Sequence, residues 1–421
     1  MIFLTKWKET EIGRIPEEWV LKKLKDLFEI SVGGDLSKIS FSKNKTKEYK
    51  YPIYSNSLNN GGLYGFSKSY QYEPGCVTIT ARGDVGKAEC RKDFFCAIVR
   101  LLVLKPKCDI SCRFVANFIN SRLDFLHVGS AVNQLTAPII SDRLIAIPPF
   151  PEQKAIAKIL SDLDSKIELN NQMNATLEAM AQAIFKQWFI DFEFPDENGK
   201  PYKSNGGKMV DSELGKIPEG WQISRIGEEL HTVLGGTPST DKKEYWTNGT
   251  IPWINSGKIN EFPIVSPSDY ITTKGLESSS TKIMPIKTVV LPLVISVGKP
   301  INISILGIET CGNQSVLGIV GNDKLPLEFL YYWILNMKNE IYSWATGGAQ
   351  QHINKNNVDE TPIIIPPKEI LAKYLTLVDN LFDKIIENSN QNINLSDIRD
   401  SLLPKLMSGQ IRVPLEVIKN A

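Results

Sequence analysis

The chain contains itself twice, and this repeat constrains the possible fold more than any other feature. Ile12–Ser37 reads IGRIPEEWVLKKLKDLFEISVGGDLS, and Leu214–Ser239 reads LGKIPEGWQISRIGEELHTVLGGTPS. The two align without a gap at an offset of 202, with eight identities in twenty-six, including Gly13/Gly215, Pro16/Pro218, Trp19/Trp221 and Gly33-Gly34/Gly235-Gly236. YPIYSNS at Pro52 is matched by IPWINSG at Pro252, and Val85-Gly86-Lys87 by Val297-Gly298-Lys299. IAIPPFPEQKAIAKIL (145–160) aligns with IIIPPKEILAKYLTLV (363–378) at an offset of 218, so the second copy carries about sixteen more residues in its middle. The chain is a tandem duplication of a unit roughly 200 residues long.

Each unit has two parts. The first mixes short β-rich runs (CVTITARG and AIVRLLVLKP; TVVLPLVISVG and SVLGIVGND) with Gly, Pro and Asn turns and one helical stretch, CRFVANFINSRLDFL or LEFLYYWILNMKNEIY. A prolyl pair at 148–149 or 366–367 then punctuates, and a long helical pattern follows. In the first helix the seam positions are Ile156, Leu163, Asn170, Leu177 and Ile184, with Leu160, Ile167, Asn174, Ala181 and Trp188. In the second they are Tyr374, Leu381, Asn388, Leu395 and Leu402, with Val378, Ile385, Asn392, Arg399 and Leu406. A seam of period 3.5 asks for a partner helix. Asn170 and Asn174 lie near the middle of one helix and Asn388 and Asn392 near the middle of the other, where an antiparallel pair brings equivalent positions together.

The expected fold class is therefore α+β: a duplicated mixed α/β domain plus a long helix, the two helices pairing as an antiparallel coiled coil with pseudo-twofold symmetry. About 38 helical residues would make a rod of roughly 57 Å. The expected boundaries are a first domain over 1–151, a first long helix over 152–192 and a linker rich in Pro, Gly and Asn over 193–213. A second domain follows over 214–367, then a second helix over 368–409 ending near Pro404 to Gly409, and a tail over 410–421.

Composition narrows the function. Lys+Arg (48) and Asp+Glu (47) nearly cancel, so any nucleic-acid binding must come from local patches. The N-terminal MIFLTKWKETEIGR lacks the apolar core of a signal peptide, and the most apolar run, TVVLPLVISVG, is too short to span a bilayer. The expectation is a cytoplasmic protein with no membrane partner. Six cysteines, five of them between Cys76 and Cys112, show no disulfide or zinc spacing and read as buried free thiols; His127, His231 and His352 are scattered. Catalytic templates fail as well. GDVGKA (83–88) lacks phosphate-loop spacing, no G-x-G-x-x-G follows a strand, and Ile147-Pro-Pro-Phe lacks the amide or carboxylate of an amino-methyltransferase motif. The expectation is a chain without catalytic or metal-ligating residues.

The repeated G-x-I-P-E-x-W openings, the Pro-Pro junction running into PEQKAIAKILSDLDSKIELN and the closing LLPKLMSGQI together resemble the specificity subunit of type I restriction-modification enzymes, from about Ile12 to Val413. One departure is PPKEILAKYL, which lacks the Glu-Gln of the first junction. The resemblance implies two target-recognition domains, each reading half of a split, asymmetric sequence in double-stranded DNA. It implies paired helices that set the half-site spacing and dock two adenine-methyltransferase (modification) subunits, and separate restriction/translocase subunits. S-adenosylmethionine, ATP and Mg2+ would then belong to those partners, with no cofactor on this chain.

Candidate DNA contacts follow from residue chemistry. In the first domain the basic loop 38–50 offers Lys43, Lys45 and Lys47 for phosphates, as any solvated loop also would. Ser55 and Asn56 lie in a turn, where turn formation alone also explains them; Arg82 and Lys87 sit in a Gly-rich turn after a strand; Asn133 and Gln134 follow. In the second domain the candidates are Asn255, Ser256, Lys258, Lys299, Asn313, Gln314, Gln350 and Gln351, and Arg82 has no basic counterpart. Trp19, Trp221, Trp246 and Trp253 read as packing residues. The competing reading, favoured by the near-neutral charge, is a coiled-coil scaffold with two protein-binding heads.

Overall fold

The duplication is visible strand by strand in the computed structural model, which describes residues 6–57, 59–125 and 134–413. Each copy opens on a hairpin, Trp7–Lys8 with Ile15–Pro16 and Met209–Ser212 with Gly215–Pro218. Gly13 and Gly215 turn these hairpins at φ +95° and +86°, values an L side chain resists. Trp19 and Trp221 follow, both buried. The next strand, Val20–Lys23 or Gln222–Arg225, pairs antiparallel with the last strand of the domain, Leu144–Ile147 or Pro362–Ile365. Each domain is thus closed by its two ends, just before the Pro-Pro junction.

Between these ends lies a four-stranded antiparallel sheet of the same order in both copies. In the first it runs Phe28–Val32, Leu102–Pro106, Val77–Ile79, Ala88–Cys90; in the second, His231–Leu234, Val316–Val320, Thr288–Pro292, Ser304–Ile305. Leu102, Val103, Leu104, Val289, Val290 and Leu291 are buried continuously, which explains their unbroken apolar runs. A second, smaller sheet holds one parallel pair in each copy, Tyr51–Tyr54 with Cys96–Ala97 and Ile251–Ile254 with Cys311–Gly312. The repeated glycine pair lets the chain cross this sheet at backbone distance. A Cβ on Gly33 would lie 2.8 Å from the Ala97 carbonyl carbon, and one on Gly235 2.1 Å from the Asn313 oxygen. The helices Cys112–Arg122 and Leu327–Ser343 cover the large sheets; Ser111 caps the former by accepting from Phe114 N at 3.3 Å.

The first long helix spans Phe150–Phe185 and continues as a π-helical turn over Lys186–Ile190. It starts two residues earlier than expected, because Pro151 in the first turn lacks only an N–H that would have no helical partner. The second spans Lys368–Met407 with Pro404 inside it, so that proline does not stop the helix. Near the end it forfeits one hydrogen bond, and the turn continues with Ser408 N donating to Pro404 O at 3.1 Å. Gly409, at φ +73°, ends the run and packs on Pro16 and Trp19.

The chain divides into two units, Met1–Ile167 with Asn394–Ala421, and Glu168–Ile393. Both boundaries fall inside the long helices, so neither helix is a module by itself. In the first unit Ile156 and Leu160 share a core with Leu406 and Met407, and Asp164 pairs with Arg399 at 3.0 Å. In the second, Phe185, Trp188 and Phe189 share a core with Leu371, Tyr374, Val378 and Phe382. Rising numbers on one helix meet falling numbers on the other, so the pairing is antiparallel in each unit. The supposed linker 193–213 is folded, with Phe194 stacked on Trp221 (5.3 Å, 26°) and on Tyr202 (4.7 Å, 18°). Of the supposed tail, residues 410–413 are held by Arg412, whose guanidinium grips Glu152, and 414–421 lie outside the described residues. Among the described residues no helix is long and apolar enough to cross a membrane.

Candidate nucleic-acid interface

In the first unit, backbone bonding gathers four segments that are far apart in sequence. Asn56 Oδ1 accepts from Ala81 N at 2.6 Å, and its Nδ2 donates to Val99 O. Ala81 O accepts from Leu135 N at 3.0 Å. The next residue on one segment and the preceding one on the other, Arg82 and Gln134, then meet: Arg82 Nη2 donates to Gln134 Oε1 at 3.1 Å. Asn56 is therefore a clamp whose amide is turned inward, not a free base reader. Ser55 closes its own turn, donating from N to Gly62 O at 2.8 Å. The turn bearing Lys87 is closed by Thr80, whose N donates to Lys87 O at 3.0 Å and whose Oγ1 accepts from Lys87 N at 2.9 Å. Asn133 lies outside the described residues.

Beside Asn56 the chain is strained. Val99 and Arg100, both exposed, sit at φ +53° and +61°, a region costly for a β-branched residue. Their N–H groups donate to Gly34 O (3.0 Å) and Gly33 O (3.1 Å), so the glycine pair holds this turn. Arg100 was missed in sequence because it reads as part of the run AIVRLLVLKP. Underneath, Arg91 is buried with its guanidinium 3.7 Å from the Tyr54 ring centre, donating to Thr78 Oγ1 (2.8 Å) and Gly61 O (2.9 Å). Burial holds this guanidinium below the ordinary arginine range, and it props the 55–62 turn from inside. Arg82, Lys87 and Arg100 are thus three exposed cations around one turn cluster, with Asp84 as an exposed carboxylate between the first two.

The basic loop is more ordered than its composition suggests. Lys43 lies 4.0 Å above the Tyr64 ring, Lys50 5.0 Å above Tyr51, and Lys68 pairs with Glu48. Thr46 N donates to Tyr49 O at 3.0 Å, closing the turn on which Lys45 and Lys47 stand exposed.

The second unit repeats the frame with other side chains. Asn313 N donates to Ile254 O (2.9 Å) as Ile98 N does to Tyr54 O (3.0 Å), and Ile353 N donates to Leu293 O (3.0 Å) as Leu135 N does to Ala81 O. These bonds match Asn56 with Ser256, Val99 with Gln314, Arg100 with Ser315, Arg82 with Val294 and Gln134 with His352. Val294 and His352 face each other in a three-stranded sheet that also sets Ser296 opposite Gln350 and Ile295 opposite Gln351. Gln350, His352 and Lys299 are exposed there. Gln314 Oε1 accepts from Thr237 Oγ1 at 2.6 Å. Three candidates serve the fold: Asn255 caps a 3-10 turn through Gly257 N (2.9 Å), Asn313 Oδ1 accepts from Ser315 N (3.0 Å), and Lys258, largely covered, pairs with Glu261 at 2.8 Å. Trp253 is buried edge-on to Trp246. His352 was missed because composition drew the eye to the two glutamines before it; the offset of 218 that aligns Leu135 with Ile353 would have found it.

Within the second unit the four seam asparagines meet. Asn170 Nδ2 donates to Asn392 Oδ1 (2.9 Å) and Gln391 Oε1 (2.8 Å), Asn388 Nδ2 to Asn174 Oδ1 (2.9 Å), and Asn174 Nδ2 to Ser389 Oγ (3.1 Å). Asn170 and Asn388 are buried, and Asn170 Oδ1 is left without a partner. Among the described residues no group of three His, Cys, Asp or Glu side chains could hold a metal. Cys76, Cys96, Cys112 and Cys311 are buried, Cys90 is half-buried, and Cys108 is exposed, contrary to the uniform burial expected.

The sequence pattern of the family described as Type I restriction modification DNA specificity domain matches twice, over residues 16–179 and 218–395. The chain is 28% identical over 436 residues to the type I restriction enzyme MjaIX specificity subunit of Methanocaldococcus jannaschii, covering 97% of each. It is 26% identical over 455 residues to the HindI specificity subunit of Haemophilus influenzae, covering 90% of this chain and 98% of that one. Among solved structures, the S subunit of a type I restriction-modification system from M. genitalium shares the fold, with a TM-score of 0.60 at 16% identity over 92% of this chain and 96% of that one. Carrying the family's domain twice, over most of its length, the chain belongs to the type I restriction-modification DNA specificity family.

Proposed function

We propose that each unit reads one half of a split, asymmetric sequence in double-stranded DNA, inside a type I restriction-modification complex whose other subunits do the chemistry. The observation that carries this reading is a single hydrogen-bonded frame presented twice with its rim exchanged: Arg82, Arg100 and Gln134 in one unit stand where Val294, Ser315 and His352 stand in the other. A reader of two unlike half-sites needs the same docking geometry twice and different groups at the base edges. Exposed lysines such as Lys45, Lys47, Lys87 and Lys299 suit phosphates, which position the protein without reading sequence. With a net charge of +1 the chain brings little bulk attraction for DNA, so partner subunits supply a share of the phosphate contacts.

In this reading the long helices set the gap between half-sites and dock two adenine-methyltransferase subunits. Restriction/translocase subunits complete the assembly, and S-adenosylmethionine, ATP and Mg2+ are bound by those partners. The test is co-expression of the full chain with the methyltransferase subunits, followed by sequencing of host DNA for methylated adenine. One split, asymmetric motif that vanishes when this chain is removed is the expected result. An assembled complex that methylates without such a motif would overturn the reading, and heads that capture a protein instead of DNA would support the scaffold alternative.

A further inference from the structure

We infer that Arg82 reads a guanine in the half-site of the first unit, and that Gln134 is the positioning residue that aims it. The inference rests on the DNA-reading role proposed above and goes further by assigning a residue and a base. Arg82 stands in the bend that follows the strand Val77–Ile79, beside Gly83, whose φ of +71° and missing side chain leave the backbone free to approach a groove. Its Nη2 donates to Gln134 Oε1 at 3.1 Å. That acceptor is neutral, so the guanidinium is oriented without its charge being cancelled. Among the described residues Arg82 has no ion pair, whereas the equally exposed Arg14 is bound to Glu9 and the half-buried Arg225 to Glu213. Gln134 is itself fixed, because the adjacent Leu135 N is bonded to Ala81 O at 3.0 Å. One edge of the guanidinium is thereby used, and the other retains parallel N–H donors.

Parallel donors select guanine. Its O6 and N7 both accept in the major groove, whereas adenine offers one acceptor beside an amino donor and cytosine offers a donor. A phosphate would be served equally by a flexible lysine, and the first unit exposes Lys45, Lys47 and, on the same turn as Arg82, Lys87. The second unit provides an internal contrast. The equivalent pair is Val294 and His352, facing each other in the same register but with no guanidinium. The guanine preference should therefore belong to one half-site and come from this position.

The experiment uses the full chain in its complex with the methyltransferase subunits and reads the methylation motif of wild type, Arg82→Ala, Arg82→Lys and Gln134→Ala. Wild type is expected to show a split motif with an invariant G·C pair in one half. Arg82→Ala should relax that position alone, by about tenfold to a hundredfold in preference, with the other half and the gap unchanged. Arg82→Lys should keep overall methylation yet relax the same position, because lysine lacks the planar fork. Gln134→Ala should relax it more weakly and nowhere else, whereas a merely structural role would depress methylation at every motif position together. A motif unchanged in Arg82→Ala, or overall methylation lost in Arg82→Ala but restored with full specificity in Arg82→Lys, would overturn the inference and mark a phosphate contact or none. A wild-type complex with no split motif would overturn the DNA-reading role, and this assignment with it.

Discussion

Replacing Arg412 with alanine should loosen the first unit where the end of the second long helix returns to the start of the first. Glu152, 2% exposed, accepts from Arg412 Nε at 2.7 Å and Nη2 at 2.9 Å, and from Trp19 Nε1 at 3.3 Å. Arg412 also reaches the exposed Glu18 at 2.7 Å. Removing the guanidinium strands a buried carboxylate with the indole N–H as its remaining side-chain donor. Breaking a buried pair from one side costs about 3–5 kcal/mol. Two features reduce this. The Arg412 side chain is itself 26% exposed, and Glu152 lies in the first turn of its helix, where the macrodipole favours a negative charge. A loss of about 2–3 kcal/mol is therefore expected.

The assay is amide hydrogen exchange of the full chain, since the loss is local and a multidomain protein has no single unfolding free energy. Peptides covering 14–27, 150–160 and 394–413 should exchange about 30- to 150-fold faster, at tenfold per 1.4 kcal/mol. Peptides around Trp221 should not change, because Phe189, Phe192 and Phe194 pack on that tryptophan in place of an ion pair. Pairing Arg412→Met with Glu152→Gln should recover most of the protection, because the uncompensated charge is then gone. Exchange in Arg412→Ala within threefold of wild type, or raised equally in both units, would refute the reasoning.

Other perturbations test the seam, the spacing and the thiols. Substituting leucine for Asn170 and Asn392 together removes a buried oxygen that has no partner and should stabilise the seam by about 1 kcal/mol, read as about fivefold slower hydrogen exchange in peptides covering 168–176 and 386–394; faster exchange there would show the network to be net stabilising. Deleting one heptad from facing positions of both long helices removes about 10 Å of rise and should shorten the half-site gap by about three base pairs or abolish methylation; an unchanged gap would exclude a spacing role. Alkylation of the native chain near pH 8 should reach the exposed Cys108 first, with peptide mass spectrometry as the readout. Burial pushes Cys76 and Cys311 up to about 11 and Cys112 to about 12, so these stay protonated and shielded.

The frame was legible in sequence because duplication prints each structural requirement twice. Gly13 and Gly215, Trp19 and Trp221, and the two glycine pairs are positions where a left-handed turn, a filled core or a backbone crossing admits few alternatives. The asparagine seams were legible for a related reason, since polar residues are conspicuous in an apolar column of period 3.5. Pairings across more than a hundred residues left no local trace. Nothing near Val20 announces Ile147, and nothing near Arg412 announces Glu152. Arg100 was hidden because the left-handed turn that exposes it is imposed by carbonyls of Gly33 and Gly34, while its own neighbours look like strand. Composition misled at Asn56, Asn255 and Asn313, since an amide suited to adenine is equally suited to a backbone N–H.

The comparison between copies separates two kinds of residue that a single domain would confound. A side chain that holds the frame faces the same backbone groups in both units, so its replacement must perform the same bond. Asn56 is the informative exception: its partner position is Ser256, and the second unit ties its neighbouring segments through Asn313 and a three-stranded sheet. A side chain that reads a ligand is released from that constraint, because the ligand can differ. Arg82, Arg100 and Gln134 are exchanged for Val294, Ser315 and His352 while the hydrogen bonds Leu135–Ala81 and Ile353–Leu293 behind them persist at 3.0 Å. If the two units read different half-sites, as proposed, such variation in front of a retained backbone bond is what that reading requires. Moving Arg and Gln into positions 294 and 352 should therefore leave the fold intact, checked by unchanged hydrogen exchange at Ile353, and alter the base preferred in the second half-site alone. Exchange at Ile353 raised tenfold or more by the pair would show that the rim and the frame are not separable.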